Sequence, residues 1–370
     1  MTNNFFRLLS KVLIVFIGII IIVPILCGFL GFFLPSLNYL PILGKGELSL
    51  NYFYISMSIP GIYKSILLSK FTGLVSTALA LFFSQVILLY FFKTKIYNYL
   101  KFIISPLIAL PHITMAIGLI FLLSPSGLFL RSVSPWLTGF ERPPNTYIFP
   151  DEYGFLLILG LMLKEIPFLV LVSLSALREF SSTKFFDLGK SFQHSSFSTW
   201  FILIFPIIYK KIRLVIFIII AFSSSVVDMS LLLAPSTPST LSVRILQIFQ
   251  SSDMDSFFLA SNLSLIQLFI IIILFIVWIF FEKIIKLKFF YIFFIKITSF
   301  KSEFLKIAIL CFSVILFLLS FMGIICSILW GFSENWYFPN FFPNDLNIDN
   351  FLSFYYQNKS LILISIFIPF

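Results

Sequence analysis

Apolar residues run along this chain in long blocks separated by short polar or basic segments. Arg7 and Lys11 precede an apolar run from Val12 to Leu34 that lacks a small-residue cleavage site and exceeds a signal-peptide core. It predicts an uncleaved first membrane span. A polar segment from Pro35 to Lys64 leads to a second span, about Ile66 to Phe92, which ends at Lys93, Lys95 and Lys101. The third, Phe102 to Leu123, contains Pro106, Pro111 and His112. After a segment rich in Pro, Gly and Trp, Ser124 to Gly154, the fourth span is Phe155 to Leu177. Leu214 to Ala234 is predicted as the fifth and Leu263 to Phe281 as the sixth. A basic linker, 282–306, separates these from a seventh apolar run, Ile307 to Trp330. The chain therefore reads as an all-α polytopic membrane protein.

One stretch breaks the pattern. From Lys184 to Arg213 (KFFDLGKSFQHSSFSTWFILIFPIIYKKIR), Phe185, Phe186, Phe192, Phe197 and Phe201 alternate with Asp187, Lys190, Gln193, His194 and a run of serines. Read as a helix, this is amphipathic, with Asp187 and Gly189 expected on exposed surface and His194 on the solvated face. Its apolar stripe needs a protein partner or the membrane surface.

Composition agrees with the spans: 60% of the 370 residues are hydrophobic and 11% charged, and mean hydropathy is +1.08. A globular domain is excluded. The 52 Phe, beside abundant Ile, Lys and Asn, read mainly as codon bias rather than as a functional aromatic array. Cys27, Cys311 and Cys326 lie in apolar runs without CxxC spacing, so neither a disulfide nor a metal site is expected. No cofactor is expected either. Gly189-Lys190-Ser191 imitates the end of a phosphate-binding loop, but Lys184 stands where that motif needs its first Gly and no strand precedes it.

The net charge of +10 suggests nucleic acid only until the cations are placed. With the N-terminus inside, the cytoplasmic segments gather most of the 25 Lys and Arg against four acids, Glu179, Asp187, Glu282 and Glu303. The outer segments hold Lys45, Lys64, Lys70, Arg131, Arg142, Arg244 and Lys359 among a larger number of acids. This bias puts the N-terminus and the 184–213 stretch in the cytoplasm. No nucleic-acid partner is indicated.

Lys164 and Glu165 fall near the middle of the fourth span, where each costs about 2.5–3.5 kcal/mol on insertion scales. Asp228 lies toward the outer end of the fifth, after Ser223, Ser224 and Ser225. Two readings stay open for these three: lining of a translocation path, or an interhelical polar clamp. His112 reads as a packed histidine. Near the end, Leu346-x-Ile348-Asp349-x-Phe351 followed by Lys359-Ser360 echoes Leu48-x-Leu50-Asn51-x-Phe53 followed by Lys64-Ser65. That repeat predicts a second half starting near Lys306, and the short apolar run Leu361 to Phe370 is expected to be a span cut off.

The 184–206 stretch resembles the EAA loop of ABC transporter permeases: EAA, three residues, Gly, nine residues, then I-x-L-P. Anchored on Pro206, Asp187 falls at the Glu, Leu188 and Gly189 at the alanines, and Leu203 and Phe205 at the Ile and Leu. Gln193 replaces the Gly. Further motifs follow in family order: Leu110 to Leu119 (LPHITMAIGL), Pro125-Ser126-Gly127, Ser134-Pro135-Trp136, Arg142-Pro143-Pro144, Leu163 to Phe168 (LKEIPF), Val226-Val227-Asp228-Met229 and Pro235 to Leu241 (PSTPSTL). The whole chain is similar to fused two-half permeases of the thiamine-type import system, related to iron(III) permeases. That resemblance implies a type I importer permease (MetI-like) fold, with a first half of six spans over 1–281, the linker 282–306 and the start of a second half over 307–370. It implies a bacterial inner-membrane permease moving a small thiamine-like or iron(III)-type solute, not itself an enzyme. Its partners would be a cytoplasmic ABC ATPase dimer, a periplasmic solute-binding protein, a second permease half and membrane lipid. Asp187, Leu188, Gly189, Gln193, Phe197, Trp200, Leu203 and Pro206 would form the ATPase-coupling loop. From the residues alone, an ion-coupled secondary transporter using Lys164, Glu165 and Asp228 as a relay is the alternative.

Overall fold

The computed structural model describes residues 2–92, 94–145, 151–180, 182–192, 194–294 and 303–367. Among these, six helical stretches are long and apolar enough to cross a membrane: Lys11–Ser36, Ile62–Phe91, His112–Val133, Phe155–Leu177, Met254–Lys286 and Ile307–Phe332. The first lies in helix α1 (Thr2–Ser36), whose side chains from Val12 to Leu26 are almost all exposed. So much uncovered apolar surface belongs in lipid.

The chain divides into two compact units. Unit 1, Met1–Ser69 with Thr237–Ile273, contains α1, α2 (Asn51–Ser58), the start of α3 (Ile62–Phe91), and sequence-distant partners introduced below as α12 and the start of α13. Tyr52 on α2 stacks on Phe258 at 5.3 Å and donates its hydroxyl proton to Asp255 at 2.8 Å. Ser56 donates to Asn262 at 2.9 Å, and the Asn262 amide donates to the Ser36 carbonyl at the end of α1 at 3.2 Å. Burial raises the Tyr52 pKa first, with Asp255 adding to it.

Unit 2 covers Lys70–Ser236 and Leu274–Phe370. In chain order it holds the rest of α3, α4 (Lys95–Ala109), α5 (His112–Leu123), α6 (Leu128–Val133), α7 (Phe155–Leu177), α8 (Ser182–Ser191), α9 (Ser196–Thr199), a π-helical turn (Trp200–Ile204), α10 (Phe205–Ser225) and α11 (Asp228–Leu233). After α12 (Leu241–Phe249) of unit 1 come α13 (Met254–Phe294), α14 (Glu303–Phe332), an antiparallel pair β1 (Ser333–Asn335) and β2 (Asp345–Leu346), α15 (Asp349–Gln357) and α16 (Lys359–Phe367). α14 crosses α5 with almost nothing between the backbones. A Cβ built on Gly118 would sit 2.5 Å from the Gly323 carbonyl oxygen, so glycine is required there.

Three expected spans are drawn differently. The third is two helices, α4 and α5, because a residue before proline avoids the helical region: Leu110 is extended at φ −66, ψ 138 ahead of Pro111. The fifth is also broken. α10 stops at Ser225 and Val226 is extended (φ −62, ψ 135) before α11 starts at Asp228. Hydroxyls of Ser224 and Ser225 bond to the Ala221 carbonyl at 3.0 and 2.7 Å, competing with the helix ladder. The sixth extends both ways, so α13 runs through the first part of the expected linker; 295–302 lie outside the described residues.

The internal echo has a structural counterpart. Ser49 N–H donates to the Leu37 carbonyl at 2.9 Å, and Asn347 N–H donates to that of Phe332 at 2.9 Å. Asn51 N–H donates to Ser49 Oγ at 3.1 Å, and Asp349 N–H to Asn347 Oδ1 at 2.9 Å. Each pair sits where a short helix, α2 or α15, restarts after a long apolar one.

Candidate functional site

Two regions of unit 2 carry the residues singled out by sequence. The first is the polar stretch, which folds as α8, α9, the π-turn and the start of α10. Asp187, Leu188, Lys190 and Phe192 are exposed on and just after α8, with Leu188 at 44% and Phe192 at 50%. Phe186 and Gly189 face inward. Gly189 does not lie on exposed surface as expected: a Cβ there would be 2.2 Å from Thr199 Oγ1, so the alanine of the loop pattern would collide with α9. His194 is half-buried rather than solvated, and its N–H closes α8 on the Gly189 carbonyl at 2.9 Å. Gln193 lies outside the described residues.

Ser195 caps α9, its Oγ accepting from Ser198 N–H at 3.2 Å. Trp200 is fully buried, with Phe92 at 5.9 Å and Phe186 at 6.3 Å between ring centroids, and Phe201 stacks on Phe82 of α3 at 5.8 Å. These contacts fasten the loop to the long helices. Phe197, Leu203 and Pro206 are half-buried. The π-turn ends just before Pro206, which cannot donate into the helical ladder and would crowd the carbonyl four residues earlier. Widening the turn there relieves both problems.

The second region surrounds the helix breaks. Lys164, 6% exposed on α7, donates to the carbonyls of Leu107 and Ile108, each at 2.9 Å, and to that of Leu110. Ending α4 frees these carbonyls, and the ammonium satisfies them. Glu165, also 6% exposed, is the next residue on α7. α11 packs against both α5 and α7, with Met229 and Leu233 meeting Gly160 of α7. Asp228 opens α11 and accepts from Met229 N–H at 2.9 Å, a favourable place for an acid at a helix N-terminus. His112 opens α5, lies against Phe222 at 4.7 Å and is within electrostatic reach of Lys164 and Asp228. The fold thus gathers Lys164, His112 and Asp228 around two broken helices, a form of backbone tolerated at membrane depth only where it is buried or lines a cavity.

Two clusters escaped the sequence reading. Arg131, 3% exposed on α6, donates to the carbonyls of Ser126 (2.8 Å), Tyr337 (2.9 Å), Asn340 (2.9 Å) and Trp336 (3.1 Å). Its guanidinium carbon also lies 4.9 Å from the Trp336 ring centre and 5.8 Å from that of Trp330. On α13, Glu282 accepts from Arg213 and Tyr209 of α10. A readable signal existed for the second cluster: aromatic residues recur at 197, 201, 205 and 209, the spacing of one helix face.

No family model matches the chain. Among curated proteins, it is similar to the inner membrane ABC transporter permease protein YnjC of Escherichia coli (strain K12), with 30% identity over 149 residues. That stretch is 40% of this chain and 27% of the relative's length.

Proposed function

We propose that the chain is a permease subunit of a binding-protein-dependent ABC importer in a bacterial inner membrane, with its N-terminus in the cytoplasm. A separate ATPase dimer docks on α8 and drives it, and a periplasmic protein delivers the solute. A second permease half completes the path. The solute class carried by the resemblance is thiamine-like or iron(III)-type. The similarity to YnjC supports a membrane transport subunit. The observation that carries the coupling role is the construction of the loop: an outer face of Asp187, Leu188, Lys190 and Phe192 on a base of buried Phe186, Gly189, Thr199 and Trp200. A helix held this firmly can pass on a rigid-body displacement. The path runs past the broken helices, with Glu165, Asp228 and His112 beside it and Lys164 holding the α4 end in shape.

The test is reconstitution with the candidate ATPase and binding protein. Uptake should require ATP, and ATPase copurification should disappear in the double variant Asp187→Arg, Leu188→Asp. Uptake by the chain alone, driven by an ion gradient, would establish the secondary-transporter reading with Lys164, Glu165 and Asp228 as relay groups. For orientation, cysteines at Ser196 and Asn145 should react with impermeant reagent from opposite sides of the membrane.

A further inference from the structure

The loop is joined to the long helices by a chain of rings as well as by its backbone. Phe197 on α9 lies 4.7 Å from Phe201, Phe201 lies 5.9 Å from Phe205, and Phe205 lies 5.6 Å from Tyr209, between ring centres. The four-residue spacing keeps these rings on one side and carries them across the π-turn, the point where the helix changes pitch. The series ends on Tyr209. Its hydroxyl accepts from Trp278 Nε1–H at 2.8 Å and donates to Glu282 Oε1, both on α13.

The same carboxylate receives Arg213 Nε at 3.0 and 3.1 Å on its two oxygens, and Arg213 Nη2 at 2.9 Å. The Glu282 side chain is 6% exposed. A carboxylate so buried is retained only with its partners, because a lone charge there is strongly destabilising. A forked arginine fixes direction as well as distance. By contrast, the neighbouring pair Lys211–Glu179 leaves its carboxylate 65% exposed and ties α10 to the end of α7 only loosely.

We infer that Glu282 is a positioning residue that makes the loop, α10 and the part of α13 from Leu274 onward move as one body. The ring series stiffens the path through the π-turn, and the Glu282 carboxylate passes the displacement on to α13. This rests on the proposed coupling role of the loop for its functional consequence, but the mechanical link can be measured without it.

The experiment uses the full chain in lipid bilayers, with Cys27, Cys311 and Cys326 replaced by serine and spin labels attached through Ser196→Cys and Lys286→Cys. Pulsed electron resonance should give one narrow distance peak. In Glu282→Gln the peak should broaden or split, and it should narrow again in the charge-exchanged pair Arg213→Glu, Glu282→Arg. An unchanged peak in Glu282→Gln overturns the inference. Should that variant fail to fold, Tyr209→Phe combined with Arg213→Lys is held to the same criterion. With the ATPase present, Glu282→Gln should lower solute moved per ATP by about tenfold while ATPase binding stays normal. A purely structural role would lower both together, which also overturns the inference. Wild-type protein that shows no ATP-driven uptake would remove the proposed function and leave the distance result standing.

Discussion

Lys164 and Arg131 are both buried cations, and both donate hydrogen bonds to backbone carbonyls. Their surroundings differ. The Lys164 ammonium meets three carbonyls crowded at one helix end, Leu107, Ile108 and Leu110, inside the membrane-spanning part of the fold. The Arg131 guanidinium meets carbonyls spread over two segments, Ser126 on one side and Trp336, Tyr337 and Asn340 on the other. A compact point charge suits clustered acceptors. A planar fork suits dispersed ones, and its faces also lie beside Trp330, Trp336 and Phe338. At the α4 end and beside α6, one cation supplies donors to several backbone carbonyls at once.

The largest effect is expected from Lys164→Ala. Each carbonyl left buried without a donor costs about 1–3 kcal/mol, so losing all three removes on the order of 3 kcal/mol or more, even after the buried charge is gone. Melting in detergent, followed by fluorescence-detected size exclusion, should show a strongly lowered midpoint. A wild-type midpoint would mean that water already reaches the α4 end and that the two cations are not doing the same work.

Arg131→Ala should cost less, about 2 kcal/mol, since its acceptors sit in loops that water can reach; ring contacts contribute about 0.5–1 kcal/mol of that. Arg131→Lys should recover about half, because one ammonium cannot serve acceptors on both sides. Equal midpoints for the lysine and alanine variants would show that direction of the donors is irrelevant here, which would break the distinction drawn between the two sites.

How readable these sites are depends on the reach of the contacts that make them. Pro111 signals the first break locally, through its effect on Leu110. The break at Val226 has no proline, only three serines in a row, which are compatible with an unbroken helix. Lys164 stands out by its cost in a span, yet its acceptors lie more than fifty residues earlier. Arg131 looks like any loop cation, since most of its acceptors come some two hundred residues later. In the loop, Asp187 is exposed as expected, while Gly189 turns inward because of Thr199, a contact that spacing does not encode, and Leu188 takes the exposed place beside Asp187.

Gly189 is the loop's own version of a filled gap, with a missing side chain in place of an added cation. Gly189→Ala should cost about 1–2 kcal/mol through overpacking on Thr199, although alanine is the better helix former. Gly189→Ala combined with Thr199→Ser should regain part of the loss by removing the methyl group that the new Cβ meets at 2.6 Å. A stabilised Gly189→Ala variant would show that α8 can shift away from α9 freely, and would weaken the loop's claim to rigidity.

The smallest effect on stability is expected from Asp187→Arg, and it separates the two kinds of charge in the molecule. Asp187 is exposed on α8. Surface substitutions away from caps and networks usually change stability by less than about 0.5 kcal/mol, so the melting midpoint should barely move. Reversing this charge in the centre of the proposed docking face should instead act on the partner. It adds like-charge repulsion or leaves a partner cation unpaired, and ATPase copurification should fall while membrane insertion is unaffected. The contrast with Lys164 is therefore one of direction: substitution of the buried cation should lower stability, and substitution of the exposed acid should lower association alone. A midpoint shift for Asp187→Arg as large as that for Arg131→Lys would place Asp187 inside the folding core of the loop, and the outer face of α8 would have to be redrawn around Leu188, Lys190 and Phe192.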